Sequence, residues 1–207
     1  MGPKELSLLD DDLFEQMKNC AEHNGLIVYP TDTFYGLGAD ARDSRAVQRV
    51  FEVKERAPNK PLSVVVSRDT LPLFAKLGEQ SIDIIDNFLP GPLTVIFNQK
   101  GNLSNKLNLN DPRRIGFRIL HPQYRISEFV DLFGIPLTAT SANLSGAAGE
   151  TLHEIVENMQ LKEWDIIVRA DLQMSFLPST VLDLTVKPPK ILREGILSQR
   201  LRKKGCI

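Results

Sequence analysis

The chain has 207 residues, of which 42% are hydrophobic and 25% are charged, so it is long enough to bury the core of one large domain. Its 25 basic and 26 acidic residues leave a formal net charge of −1, which excludes a global field that would draw the protein to nucleic acid or to a membrane. The two cysteines, Cys20 and Cys206, have no histidine at metal-ligand spacing, which argues against a disulfide framework and a zinc site.

Short apolar and β-branched runs alternate with helical patterns along the chain. We predict helices between residues 12 and 25 and at 44–56, 71–77, 80–88, 126–133 and 152–159. The apolar runs predict strands at 26–29, 62–66, 93–97, 115–120, 137–140, 166–168 and 180–184. This alternation predicts an α/β sheet covered by helices, with antiparallel pairing around 93–120 and a long surface loop at 98–114.

The N-terminal segment, residues 1–12, is acidic where a secretory signal would be basic and then apolar. No apolar run approaches the roughly 18 residues that a membrane-spanning helix needs. We therefore expect a cytoplasmic protein that does not bind a membrane.

The helix predicted at 44–56 carries an unusual cation. Ser44 is the predicted N-cap, an apolar stripe runs through residues 47–51, and Lys54 continues that stripe toward the core side. Arg56 and Lys60 follow shortly after it. Cations are favoured at a helix C-terminus for structural reasons, but a cluster of this kind also suits a phosphate chain.

Polar residues gather where several predicted strands begin or end. Residues 29–38 follow the first strand with hydroxyls, a carboxylate and two glycines, as either a tight turn or a ligand-binding loop. Residues 138–146 and 178–180 bring further hydroxyls and an amide to strand ends. Arg118 interrupts one apolar run and Arg193 follows the last predicted strand, and a buried arginine requires an internal carboxylate or an anionic ligand.

Seven segments of the chain, in this order, resemble those of the YrdC-type threonylcarbamoyl-AMP synthase family. They are Tyr-Pro-Thr-Asp-Thr-Phe-Tyr-Gly-Leu-Gly at 29–38, Lys-Glu-Arg at 54–56 with Lys-Pro-Leu at 60–62, Leu-Pro-Gly-Pro-Leu-Thr at 89–94, Gly-Phe-Arg at 116–118, Thr-Ser-Ala-Asn-Leu-Ser-Gly at 140–146, Pro-Ser-Thr-Val-Leu-Asp-Leu at 178–184 and Leu-Arg-Glu-Gly at 192–195. The resemblance spans roughly residues 10–197 as one domain, followed by a basic C-terminal tail at 198–207. It implies a twisted mixed sheet of parallel and antiparallel strands with a deep, positively lined cleft.

The resemblance also implies an activity, the formation of L-threonylcarbamoyl-AMP and pyrophosphate from ATP, L-threonine and bicarbonate. A separate transferase complex would then move the threonylcarbamoyl group to adenosine 37 of tRNA. Magnesium is expected to accompany ATP, and the sequence identifies no metal ligand among its own residues.

The family pattern assigns roles to particular residues of this chain. Lys54 and Arg56, completed by Ser141 and Asn143, would be the catalytic and nucleotide-binding signature. The remaining positions would bind the nucleotide (Lys60 and Arg193) or threonine (Thr33, Arg118 and Ser179).

Two positions depart from the family pattern and bear on ligand affinity. Lys60 stands where many members have asparagine, and Val65 stands where many have a histidine that contacts threonine. A YciO-like protein that shares the fold without the synthase activity is an alternative, against which the intact Lys-x-Arg and Ser-x-Asn pairs argue. A module that binds double-stranded RNA or tRNA is an alternative of another class, which the net charge of −1 disfavours.

Overall fold

The computed structural model describes residues 2–144 and 151–207. Within them, ten strands form one mixed sheet in the order β1-β8-β2-β3-β7-β4-β6-β5-β9-β10. The strands are β1 (Lys4–Ser7), β2 (Ile27–Tyr29), β3 (Gly36–Gly38), β4 (Ser63–Val65), β5 (Leu93–Asn98), β6 (Arg114–Arg118), β7 (Leu137–Ser141), β8 (Ile166–Arg169), β9 (Thr180–Asp183) and β10 (Lys190–Arg193). Neighbouring strands are parallel in β1-β8, β2-β8, β4-β6 and β5-β9 and antiparallel elsewhere, which confirms the predicted mixed α/β sheet.

The helices in the described residues are α1 (Leu13–Glu22), α2 (Ser44–Val53), α3 (Leu71–Phe74), α4 (Glu79–Phe88), α5 (Ile126–Phe133), α6 (Leu152–Asn158) and α7 (Ser198–Lys203), with short 3₁₀ turns at Asn105–Leu107 and Pro122–Tyr124. Six of these helices are close to those predicted from periodicity, and the seventh, α7, forms within the segment predicted only as a basic C-terminal tail, where Leu201 is buried. No helix in the described part of the chain is both long and apolar enough to span a bilayer.

Two apolar layers cover opposite faces of the sheet. Successive residues of a strand point to opposite sides, and in β2 Val28 packs in one layer while Ile27 and Tyr29 pack in the other. The first layer includes residues of α2, α4 and α6, and the second includes residues of α1 and α5. The second layer lies over the β1, β2, β7 and β8 side of its face, so the same face of β5, β6 and β9 is left open to form a cleft.

Helix α2 begins at Ser44 as predicted, but its N-cap is one residue earlier than predicted. Asp43, and not Ser44, is the N-cap, because its carboxylate accepts hydrogen bonds from the amides of Arg45 and Ala46 at 2.6 and 3.1 Å. Ser44 instead exchanges a hydrogen bond with the hydroxyl of Ser104 at 2.8 Å, which ties the helix to the long loop before β6.

The end of α2 also comes earlier than predicted, at Val53 and not at residue 56. Glu55 adopts a left-handed conformation with φ of 49°, and the amide of Arg56 bonds back to the carbonyl of Phe51 at 2.9 Å. The chain therefore turns away immediately after Lys54.

Three strands were not predicted. The strands β1 and β10 are the two edges of the sheet, and β3 is a Gly-Leu-Gly segment that the sequence does not distinguish from a turn. Arg193 consequently lies inside a strand, β10, and not after the last one.

Candidate active site

A cleft of about 720 Å³ occupies the open face of the sheet. Its floor comes from alternate residues of adjacent strands, which share one face of the sheet, and its walls come from loops and strand ends. The floor includes Thr94 and Ile96 of β5, Arg114, Gly116 and Arg118 of β6, and Val181 of β9, and the walls include Thr33, Arg56, Ser141, Asn143, Ser179 and Arg193.

Most of the predicted site residues meet in this cleft, although the chain separates them widely. Seven of the nine line it: Thr33, Arg56, Arg118, Ser141, Asn143, Ser179 and Arg193. Lys54 and Lys60 are not part of the lining, for two different reasons.

Lys54 lies directly behind the cleft wall and is 1% exposed. Its ammonium donates hydrogen bonds to the carbonyls of Ser141 and Asn143, both at 2.5 Å, and to Oδ1 of Asn143 at 3.3 Å. The Ser141 hydroxyl donates to the same Oδ1 atom. The buried cation therefore organises the turn that follows β7, and its predicted projection toward the core side is confirmed.

Lys60 is exposed and outside the cleft because the turn after α2 carries it away. Its backbone does take part in the site. Nε of Arg56 donates to the carbonyl of Lys60 at 3.2 Å, and a terminal nitrogen of Arg56 donates to the carbonyl of Pro61 at 2.9 Å. These bonds hold the Arg56 guanidinium against the 60–61 backbone at the cleft wall.

Arg193 approaches the cleft from the opposite side. Its Nε donates to the carbonyl of Ser179 at 3.1 Å, and a terminal nitrogen donates to the Ser179 hydroxyl at 2.9 Å. The same hydroxyl exchanges a hydrogen bond with Thr94 at 3.0 Å. Among the described residues, Arg56 and Arg193 form no ion pair with a carboxylate.

Burial lowers the pKa of Arg56, and the like charge of Arg193 lowers it further. The pKa of Arg193 is lowered by burial and then by the charge of Arg118. Each shift records a positive charge that is incompletely compensated, and an anion bound between these side chains would reverse it. The geometry therefore favours an anionic ligand at Arg56 and Arg193.

The segment of residues 29–38 lines the cleft with two threonines and packs two glycines against the ring of Tyr29. Thr31 and Thr33 exchange a hydrogen bond between their hydroxyls at 3.1 Å, and both line the cleft. The two predicted turn glycines lie instead in β3, where a Cβ atom on Gly36 or Gly38 would come within 2.8 or 2.7 Å of the Tyr29 ring. These glycines make room for a buried tyrosine.

Several cleft residues were not singled out from the sequence. They include Asn108, Asn110, Asp111 and Arg114. Arg114 was detectable by strand alternation, since it is four residues before Arg118 on the same face of β6, but the predicted strand began one residue too late. The asparagines belong to the 98–114 loop, whose length gives no periodic signal.

Fold and cleft together define a class, an α/β protein with an arginine-lined cleft on the uncovered face of a mixed sheet. A family model described as telomere recombination, Sua5_yciO_yrdC, matches residues 19–195. The chain therefore belongs to the Sua5/YciO/YrdC family, as the resemblance of its motifs predicted.

Individual relatives fall into two groups. A putative threonylcarbamoyl-AMP synthase of Methanocaldococcus jannaschii is 31% identical over 186 residues, which cover 89% of this chain and 86% of the relative. The crystal structure of Pyrococcus abyssi Sua5 complexed with L-threonine matches with a TM-score of 0.87 and 26% identity, and it covers all of this chain but only 62% of the Sua5 chain. The uncharacterized protein YciO of Escherichia coli is 27% identical over 188 residues, 89% of each chain, and its structure matches with a TM-score of 0.81.

Proposed function

We propose that this chain is a threonylcarbamoyl-AMP synthase, a nucleotidyltransferase that joins L-threonine, bicarbonate and the AMP portion of ATP, and releases pyrophosphate. One observation carries the proposal. Within the part of the chain that the structure describes, two arginines without carboxylate partners, Arg56 and Arg193, face a cleft that also contains hydroxyls and a further arginine, Arg118. Relatives named threonylcarbamoyl-AMP synthase and the threonine-bound Sua5 structure support it.

The chemistry requires two anions to meet. The neutral threonine amine attacks the carbon of bicarbonate with loss of water, or adds to carbon dioxide with loss of a proton, and forms a carbamate. An oxygen of that carbamate then attacks the α-phosphorus of ATP while pyrophosphate leaves. Arg56 and Arg193 would reduce the repulsion between carbamate and phosphates and stabilise the charge that develops in the transition state. Ser141 and Asn143 would supply hydrogen bonds to the same region, held in place by Lys54.

The amino acid would bind near Thr33, Arg118 and Ser179, with its carboxylate at Arg118. Magnesium would arrive with ATP and be held mainly by the phosphates and by water, as Mg²⁺ commonly is at nucleotide sites. We further propose that the product passes to a transferase that modifies tRNA.

The first experiment is to measure pyrophosphate release with ATP, magnesium and bicarbonate, with and without L-threonine. The proposal expects release that depends on threonine and falls at least about a hundredfold in Arg56→Ala, since a charge-assisted contact in the transition state is lost. Arg68→Ala is the matched control, because Arg68 is an exposed arginine paired with Asp86. Pyrophosphate release at the same rate with and without threonine would contradict the proposal.

The YciO-like alternative has a specific observation in its favour, the match to Escherichia coli YciO along most of both chains. Binding of ATP without threonine-dependent turnover would favour it. An affinity for RNA that falls steeply with salt and does not change when ATP is added would favour the nucleic-acid alternative.

A further inference from the structure

Strand β6 presents two arginines to the cleft, one on each side of Gly116. Arg114 and Arg118 each pair with one carboxylate, Asp183 of β9 and Asp32 of the loop after β2 respectively. The Arg118–Asp32 pair is almost enclosed, with side chains 11% and 14% exposed. Asp32 itself does not line the cleft, so it lies behind the arginine that does.

The backbone of Asp32 is fixed from a distant part of the chain. The amide and hydroxyl of Ser175 donate to the carbonyl of Asp32 at 3.1 and 2.9 Å, and the amide of Phe176 donates to the carbonyl of Thr33 at 3.1 Å. The segment before β9 therefore clamps this loop, and the carboxylate of Asp32 is held in place relative to β6.

The Arg118–Asp32 pair leaves too many of its polar atoms without hydrogen bonds to be a strongly stabilising ion pair. Oδ2 of Asp32 and Nε of Arg118 are both buried and have no hydrogen-bond partner among the described residues. In Asp165, by contrast, both carboxylate oxygens bond to Arg49, at 2.6 and 2.5 Å, and also accept backbone amides. A buried pair with unmet groups adds little to stability, so a role in function explains Asp32 better.

We propose that Asp32 is a positioning residue that holds the Arg118 guanidinium at the cleft and thereby sets where the carboxylate of the amino acid binds. Arg118 faces the like charge of Arg193, which would drive an untethered guanidinium away from the cleft. The identity of the amino acid rests on the proposed function, whereas the tethering of Arg118 does not.

The tethering is tested without any ligand by the rate at which phenylglyoxal modifies each arginine, read by peptide mass spectrometry. In Asp32→Asn, Arg118 is expected to react several-fold faster than in the wild type, while Arg56 and Arg193 keep their rates. Asp183→Asn is the matched control, because it removes a carboxylate from the other β6 pair and should leave Arg118 unchanged. Equal Arg118 rates in wild type and Asp32→Asn would overturn the proposal.

The consequence for recognition is tested by calorimetric binding of L-threonine and L-threoninamide, which lacks the carboxylate. We expect the wild type to prefer threonine and Asp32→Asn to lose about tenfold or more of that preference, with ATP affinity unchanged. A merely structural role would weaken both ligands and ATP together, and that result would overturn the proposal. If the wild type binds no threonine, the proposed function fails, and the modification rates alone decide whether Asp32 tethers Arg118.

Discussion

At the scale of single residues, Lys54 of the family signature is buried, and its ammonium donates hydrogen bonds to other residues of the protein instead of lining the cleft. Lys54 directs its ammonium to oxygens of Ser141 and Asn143, so it supports the residues that line the cleft. Its position was predictable, because it continues an apolar stripe of α2. Its partners were not, because they are nearly ninety residues away and only the folded sheet brings them together.

This arrangement predicts that Lys54→Ala lowers stability as well as activity. The variant would leave a cavity and remove the three hydrogen bonds that the ammonium donates to Ser141 and Asn143, which together cost on the order of 3 kcal/mol in the free energy of unfolding. Urea denaturation measures the change, and Arg56→Ala, at a partly exposed cleft position, is the comparison with an expected loss below about 1 kcal/mol. Equal stability of Lys54→Ala and wild type would mean that the ammonium is not committed to this turn.

At the scale of elements, the capping of α2 shows how local chemistry selects between neighbouring candidates. Asp43 and Ser44 are both good N-cap residues, and the sequence does not decide between them. The structure gives the cap to Asp43 because Ser44 bonds to Ser104 in a loop sixty residues away.

Asp43→Ala is therefore expected to lower the free energy of unfolding by about 1 kcal/mol, the usual effect of losing an N-cap. The matched control is Asp12→Ala, because Asp12 occupies the N-cap position of α1 without a side-chain capping bond and should cost less. Denaturant titration of both variants measures the difference. A larger loss in Asp12→Ala would contradict the assignment of the cap.

The unpredicted strands have a physical explanation at the same scale. Strands β1 and β10 mix polar and apolar residues because only one side of an edge strand has a partner, and β3 is made mostly of glycine, which has low strand propensity. Burial in the sheet, and not intrinsic preference, makes these segments strands. Core strands such as β5 and β7 were predicted closely because they carry continuous β-branched and apolar residues.

At the scale of the whole molecule, a formal net charge of −1 coexists with a cleft whose lining includes four arginines, Arg56, Arg114, Arg118 and Arg193. Arg56 and Arg193 line one cleft only in the folded protein, so the composition could not reveal the proposed anion site, which the sequence indicated through its local cations and the resemblance of its motifs. The motifs, taken in order, predicted which residues would share the cleft. They did not predict the turn after α2, which carries the side chain of Lys60 out of the cleft.

The same charge distribution predicts stabilisation by polyphosphates. A ligand present at a hundred times its Kd stabilises the native state by about 2.7 kcal/mol, which for a chain of this length raises Tm by roughly 5 to 11 °C. Magnesium ATP and pyrophosphate should both raise Tm in the wild type and in Arg68→Ala, and the effect should disappear in an Arg56→Ala, Arg193→Ala double variant. An undiminished shift in the double variant would place the phosphates elsewhere.

The most direct test of the whole account identifies the product and not only the pyrophosphate. Purified protein is incubated with ATP, magnesium, L-threonine and ¹³C-bicarbonate, and the nucleotides are analysed by mass spectrometry. The account predicts an adenylate with the mass of threonylcarbamoyl-AMP that contains the heavy carbon and disappears when threonine is omitted or Arg56 is replaced by alanine. Bound ATP without any threonine-containing adenylate would contradict it.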